Sequence, residues 1–203
     1  MPIEAVVFDM DGVLIDSFEA WYATEKPTIE KLLNKQVNKE EYKTKFFGTA
    51  TPLLLASLGA PKNKIPEMAE KHEKEFLKHL NKIQIFPETE VILSALKENG
   101  LKLAVLSNNR KIVVDSTIEH FNLKKYFDII MGIETKPKPH PDGLLKILDT
   151  FKIDKTRAIY VGDTEVDRET GKNADVRTVI VGKELKTLLD LPGLVQWLDV
   201  RYF

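Results

Sequence analysis

The 203-residue chain contains no cysteine. Disulfide scaffolds, thiolate metal sites and cysteine nucleophiles are therefore excluded together. A surplus of either charge is also missing: 30 lysines and arginines stand against 31 aspartates and glutamates, for a net charge of −1. No global field draws such a chain to nucleic acid or anionic lipid. No apolar run approaches the ~20 residues that a membrane helix needs. The start, Met1-Pro2-Ile3-Glu4, enters an apolar run with no basic segment and no cleavage site, and is not expected to act as a secretory signal. Internal repeats and low-complexity tracts are absent as well. These absences describe a soluble, cytoplasmic protein with neither a nucleic-acid nor a membrane partner. What is present suffices for a core, since hydrophobic residues make up 43% of the chain and rule out wholesale disorder. The length allows one ordinary domain, or a core domain with a small insertion.

Five short apolar runs predict strands: Ile3 to Phe8, Leu103 to Leu106, Ile129 to Met131, Ala158 to Val161 and Thr178 to Val181. They are continuous rather than alternating, the pattern of strands buried on both faces of a parallel sheet. Helical periodicity intervenes over Pro87 to Asn99, which stops at Gly100, over Asn109 to Phe121, and over Asp142 to Phe151. Strands alternating with helices imply right-handed βαβ units and an α/β fold, a three-layer Rossmann-like parallel sheet. Between the first strand and Pro87 the alternation fails. There, helices are predicted from Ser17, with a break or kink at Pro27, from Asn38 through Phe47, from Pro52 to Leu58, and after Pro66. Residues 16–83 thus read as an all-helical insertion in a core of residues 1–15 and 84–203. The final stretch, with Leu185 to Leu189, Leu194, Trp197 and Leu198, reads as a packed helix or strand pair.

Chemistry concentrates at the ends of the predicted strands. The first ends in Asp9-Met10-Asp11-Gly12, which brings two carboxylates to one crevice where Gly12 permits close backbone approach. The second ends in Ser107-Asn108-Asn109, a hydroxyl and free amides at the start of a helix, suited to an anion. Lys136-Pro137-Lys138-Pro139-His140-Pro141 pins two lysines between prolines. The fourth strand ends in Gly162-Asp163-Thr164-Glu165-Val166-Asp167, again with paired acids. A hydroxyl, a lysine and paired aspartates at one edge of a sheet form a constellation for a phosphate and a divalent metal. Open α/β sheets bind ligands at that edge.

In their order and spacing, Asp9 to Ser17, Ser107 to Asn109, Lys138 to Asp142 and Gly162 to Asp167 resemble the four motifs of the haloacid dehalogenase-like superfamily. Within it the chain is similar to phosphatases with a helical cap, such as phosphoglycolate phosphatase, and to β-phosphoglucomutase. The resemblance implies a Mg²⁺-dependent phosphatase acting on a small phosphorylated metabolite. Asp9 would be the nucleophile and Asp11 the general acid and base. Mg²⁺ would be held by Asp9, the Asp11 carbonyl and Asp163, with Asp167 bound directly or through water. Gly12, Ser107, the Asn108 amide and Lys138 would bind the phosphate, and Lys138 fits the family pattern better than Lys136. Dehalogenases of the superfamily lack an acid at the position of Asp11, so Asp11 points to phosphoryl transfer. The alternatives are a phosphomutase and a non-catalytic phosphate-binding module. Mutases of this kind tend to carry an arginine after the glycine of the cap loop. Here the loop reads Gly48-Thr49-Ala50-Thr51 and the cap has no arginine, which favours hydrolysis. Gly48 and Thr49 are the implied specificity element.

Other candidates receive structural readings. His72 and His79 are expected on a solvated helix face, and Trp21, Tyr22, Phe46 and Phe47 in the core of the insertion. Gly171-Lys172 lacks the remaining residues of a P-loop. No heptad or apolar surface stripe decides between a monomer and a homodimer.

Overall fold

The computed structural model describes residues 2–133 and 136–200, with the backbone alone for 197–200. The chain divides into two compact units, Met1–Ile15 with Ile85–Phe203, and Asp16–Gln84. The first strand, β1 (Ala5–Phe8), is followed by the short β2 (Ile15–Asp16), after which the chain enters the second unit. That unit holds α1 (Phe18–Leu33), α2 (Lys39–Lys45), α3 (Thr51–Ser57) and α4 (Ile65–Phe76). The chain returns through β3 (Gln84–Ile85), which pairs with β2. There follow α5 (Thr89–Glu98), β4 (Lys102–Leu106), α6 (Lys111–His120), β5 (Ile129–Met131), α7 (Asp142–Phe151), β6 (Ala158–Gly162), α8 (Glu165–Ala174), β7 (Arg177–Ile180) and α9 (Leu191–Val200).

The main sheet has the order β5-β4-β1-β6-β7 and is parallel throughout. Its central strand is fully buried, with Val7 in register between Ala104 and Tyr160. Burial on both faces is why these segments carry apolar side chains at successive positions. Ala5, Val7, Ala104 and Tyr160 form one face and pack with Leu144, Ile147 and Leu148 of α7 and Ala174 of α8. The alternate residues Val6, Leu103 and Ile159 point to the opposite face. From β1 the order proceeds to β4 on one side and to β6 on the other. That reversal opens a crevice at the carboxyl ends of the three strands.

The strands and the three predicted helices occur where the patterning placed them, within a few residues. Helix α8 was not predicted. Its inward face consists of small or polar residues, Asp167, Thr170, Gly171 and Ala174, so it shows no apolar stripe. Its start is fixed instead by a capping box in which Thr164 and Asp167 satisfy each other's backbone amides. The C-terminal segment is helical from Leu191, and the side chains of Trp197 and Leu198 lie outside the described residues.

Three expectations for the second unit are corrected. Helix α1 continues through Pro27 without a break. Pro27 is exposed, while Ala20, Trp21, Thr24, Glu25 and Ile29 are buried on either side of it and anchor both halves of the helix. Ser17 makes no side-chain cap; Asp16 Oδ1 accepts the Phe18 amide at 3.0 Å instead. His72 is buried rather than solvated, 4% exposed, with Nε2 2.8 Å from Thr28 Oγ1. It belongs to the inward stripe of α4 with Ala69 and Phe76, and burial lowers its pKa. Asn38 does cap α2, accepting the Glu41 amide at 2.8 Å. Trp21 stacks on Phe76 at 4.2 Å, and Phe18, Tyr22, Tyr42 and Phe47 form an aromatic cluster. Inside this unit lies a buried acid, Glu25. Its carboxylate accepts hydrogen bonds from Tyr42 Oη at 2.6 Å and from Thr51 Oγ1 at 3.3 Å. Burial pushes Glu25 up to about 7 against the opposing effect of these two hydroxyls.

Candidate active site

Each strand of the crevice delivers a polar residue one step past its end. Asp9 follows β1, and its amide extends the ladder by donating to the Val161 carbonyl at 2.8 Å. Gly12 follows in the left-handed region at φ +80°, and a Cβ there would stand 2.1 Å from Asp163 Oδ2. Only glycine meets both demands. Ser107 follows β4, buried, with its hydroxyl accepting the Asn109 amide at 3.1 Å. The Asn108 side chain grips the backbone of Lys138 from both sides. Its Oδ1 accepts the Lys138 amide at 2.7 Å and its Nδ2 donates to the Lys138 carbonyl at 3.2 Å. Asn109 Nδ2 donates to Asp11 Oδ2 at 2.7 Å. The peptide bond between Lys138 and Pro139 is cis.

These backbone placements converge on the Lys138 ammonium. Nζ donates to Asp9 Oδ1 at 2.8 Å, Asp167 Oδ1 at 2.7 Å and Tyr160 Oη at 3.1 Å. Tyr160 in turn donates to Asp167 Oδ1 at 2.7 Å. The other oxygen of Asp167 accepts the Thr164 hydroxyl at 2.6 Å and the Thr164 and Asp163 amides at 3.1 and 3.3 Å. Lys136 lies outside this network, with Nζ 3.4 Å from His140 Nε2 on the exposed side of the loop.

Burial and mutual repulsion shape the charges. Burial raises Asp9 well above the usual carboxylate range, the Lys138 ammonium offsets only part of this, and Asp167, Asp11 and Asp163 raise it further. Burial and then the Asp167 charge push Asp163 up to about 7. Asp167 is held below its ordinary value in spite of burial, because Lys138 and the Thr164 and Tyr160 hydroxyls all donate to it. Burial alone would lower Lys138, yet Asp9, and after it Tyr160 and Asp167, keep it well above its ordinary value.

Fully ionised, these carboxylates would carry more negative charge than Lys138 neutralises, which is part of why Asp9 and Asp163 are pushed up. Asp9, Asp163 and Asp167 each offer a carboxylate oxygen, all within 4.8 Å of one another. Asp163 Oδ1 is buried and has no hydrogen-bond partner among the described residues. An orphaned, buried anionic oxygen is costly unless a cation meets it. Hard oxygen donors around a surplus of negative charge fit a divalent cation of the Mg²⁺ type.

Of the sequence-predicted residues, Asp9, Lys138, Asp163 and Asp167 form one cluster. Asp11 bonds to Asn109 and stands near enough for its charge to act on Asp9 and Asp163, and Ser107 and Asn108 border the cluster. Gly12 packs beneath Asp163. Gly48 and Thr49 lie in the second unit, exposed, on the turn before α3. Sequence reasoning missed Tyr160, Thr164 and the side chain of Asn109. Tyr160 stands in an apolar strand run, and its signal was the hydroxyl itself, which needs a partner when buried. Thr164 followed by Asp167 was legible as a helix start.

Residues 6–181 match the sequence model of a haloacid dehalogenase-like hydrolase. The chain is similar to a phosphoglycolate phosphatase of Aquifex aeolicus, at 34% identity over 185 residues covering 88% of this chain and 84% of that protein. It is also similar to the pyrophosphatase PpaX of Bacillus cereus, at 27% identity with 92% of this chain and 86% of that protein covered. Among solved structures, a HAD-superfamily hydrolase of subfamily IA from Geobacter sulfurreducens superimposes with a TM-score of 0.73. It shares 28% identity, and 95% of this chain and 96% of that chain are covered. Sequence match, fold and the charged cluster agree: the chain belongs to the haloacid dehalogenase-like hydrolase family.

Proposed function

We propose that this protein is a Mg²⁺-dependent phosphatase that hydrolyses a small soluble phosphomonoester through an aspartyl-phosphate on Asp9. The observation that carries the reading is the pairing of the Lys138 ammonium with Asp9 beside the orphaned Asp163 oxygen. One positive group is already in place, and the surplus carboxylates fit a second. The names of the relatives, phosphoglycolate phosphatase and pyrophosphatase, support phosphoryl transfer to water.

In this reading Asp9, Asp163 and the Asp11 carbonyl would hold the cation, with Asp167 bound directly or through water. When bound, the cation supplies positive charge that favours ionised Asp9 and neutralises the phosphoryl oxygens. The Asp9 carboxylate attacks phosphorus, and the bond to the ester oxygen breaks. Asp11, oriented by Asn109, gives its proton to the departing oxygen. It then takes a proton from the water that cleaves the acyl phosphate, returning Asp9 as carboxylate and releasing inorganic phosphate. Lys138 binds Asp9 and the transferred group together. The Ser107 hydroxyl and the Asn108 amide bind phosphoryl oxygens. Choice of the leaving group is assigned to Gly48 and Thr49 of the helical insertion.

The test is phosphate release from a panel of phosphoglycolate, sugar phosphates and inorganic pyrophosphate, with and without Mg²⁺, for wild type and Asp9→Asn. Metal-dependent release that disappears in Asp9→Asn is expected. Release that persists in a folded Asp9→Asn protein would falsify the mechanism, and absence of release from the whole panel would refute the phosphatase reading.

A further inference from the structure

The Tyr160 hydroxyl is buried in the apolar face of the sheet, yet it meets two charged groups. Its ring packs in the same cluster as Ala104, Leu144 and Ile147. Its oxygen accepts from Lys138 Nζ at 3.1 Å while its proton goes to Asp167 Oδ1 at 2.7 Å. An ammonium has three protons, and among the described residues the acceptors around Nζ are Asp9, Asp167 and Tyr160. A lysine side chain is flexible and behaves as a point charge with rotatable donors, so its direction must come from its surroundings. Asp9 alone would leave the ammonium free to follow the carboxylate as it reacts.

We infer that Tyr160 is a positioning residue: its hydroxyl and Asp167 form a fixed seat that keeps the Lys138 ammonium aimed at Asp9 during phosphoryl transfer. The inference rests on the phosphatase reading above. Tyr160 does not touch the reacting atoms; it acts through Lys138. Removal of the hydroxyl alone leaves the ring packing in place and takes one of three partners from the ammonium. The effect belongs to the reacting state, so kcat falls while KM for substrate holds.

The experiment compares wild type, Asp9→Asn, Tyr160→Phe and Ile147→Val, the last a buried neighbour in the same apolar cluster with no polar contact to the site. Tyr160→Phe is expected to lower kcat roughly tenfold with KM within about twofold. Its affinity for orthovanadate, a mimic of the transferring phosphoryl group read by calorimetry, should weaken by a similar factor. Ile147→Val should lower Tm at unchanged kcat. Wild-type kcat and vanadate affinity in Tyr160→Phe would overturn the inference. So would a Tyr160→Phe protein that fails to fold, or one whose losses match those of Ile147→Val, because the hydroxyl would then be structural. If wild type itself shows no metal-dependent release that Asp9→Asn abolishes, the phosphatase reading fails, and the inference with it.

Discussion

Glu25 makes the stability of the helical unit depend on pH in a direction that can be worked out from its surroundings. Its carboxyl is buried, and its value moves from an ordinary 4.5 to about 7 in the folded chain. Between these values the folded protein holds a proton that the unfolded chain has released. Its contribution is therefore complete below pH 4.5 and is lost as the pH rises through about 7. At about 1.4 kcal/mol per pH unit, the gap amounts to about 3 kcal/mol of stability given up by pH 8. Glu25→Gln fixes the neutral form. The Gln oxygen can accept from Tyr42 and its amide can donate to Thr51, so both hydroxyls keep a partner. Urea denaturation followed by tryptophan fluorescence at pH 5 and pH 8 gives the comparison. The variant should match wild type within about 1 kcal/mol at pH 5 and exceed it by about 2–3 kcal/mol at pH 8. A pH-independent difference between the two proteins would refute the reasoning, and a variant less stable at pH 8 would reverse its sign.

Two further outcomes follow from the cluster around Lys138. Gly12→Ala places a Cβ 2.1 Å from Asp163 Oδ2 at a backbone φ of +80°, so Asp163 must move. A Mg²⁺ titration of turnover should show at least roughly a tenfold higher requirement or complete loss, and an unchanged titration would contradict the placement of Asp163 at the cation. Lys138→Met strands Asp9 and Asp167 without their buried cation. Turnover should fall roughly a hundredfold or more. Unfolding at pH 8 should reveal a loss of about 3–5 kcal/mol, smaller at pH 5 where a carboxylate can take up a proton. Equal losses at both pH values would argue against a charge-based origin of the loss.

The core was legible because its strands are buried on both faces and leave no room for polar side chains. Ala5 to Phe8 and Ala158 to Val161 could be read on apolar content alone. The acids and the lysine of the site were legible because they stand just past such strands, in short motifs with distinctive spacing. Helix α8 escaped because its inward face meets a strand through Gly171, where a Cβ would lie 1.5 Å from Thr178 Oγ1. A helix this close to a strand needs small residues rather than an apolar stripe. Proline 27 misled because propensity is local, whereas the buried residues that keep α1 continuous lie on both sides of it. His72 and Glu25 were invisible as buried groups because their partners, Thr28, Tyr42 and Thr51, come from other turns or other helices. Tyr160 was read as one more apolar strand residue, since the hydroxyl's two partners are brought to it by the fold, Lys138 from 22 residues away and Asp167 from the first turn of the unpredicted α8.

The order of strands in the sheet also sets the order of events on the ribosome. The central strand β1 is translated before either of its neighbours. Its partners are Lys102 to Val105 on one side and Ala158 to Val161 on the other. The whole of Asp16–Gln84 is translated before either partner exists, and its helices contact one another within that contiguous stretch. A nascent chain therefore carries an unpaired Ala-Val-Val-Phe segment throughout the synthesis of the helical unit, which already has everything it needs to close. Non-local parallel pairing of this kind is slow and leaves apolar edges open in the meantime. The catalytic carboxylate of the proposed mechanism, attached to that strand, is made well before its lysine and the aspartates beyond β6, and acquires them only once residues 138–167 have emerged.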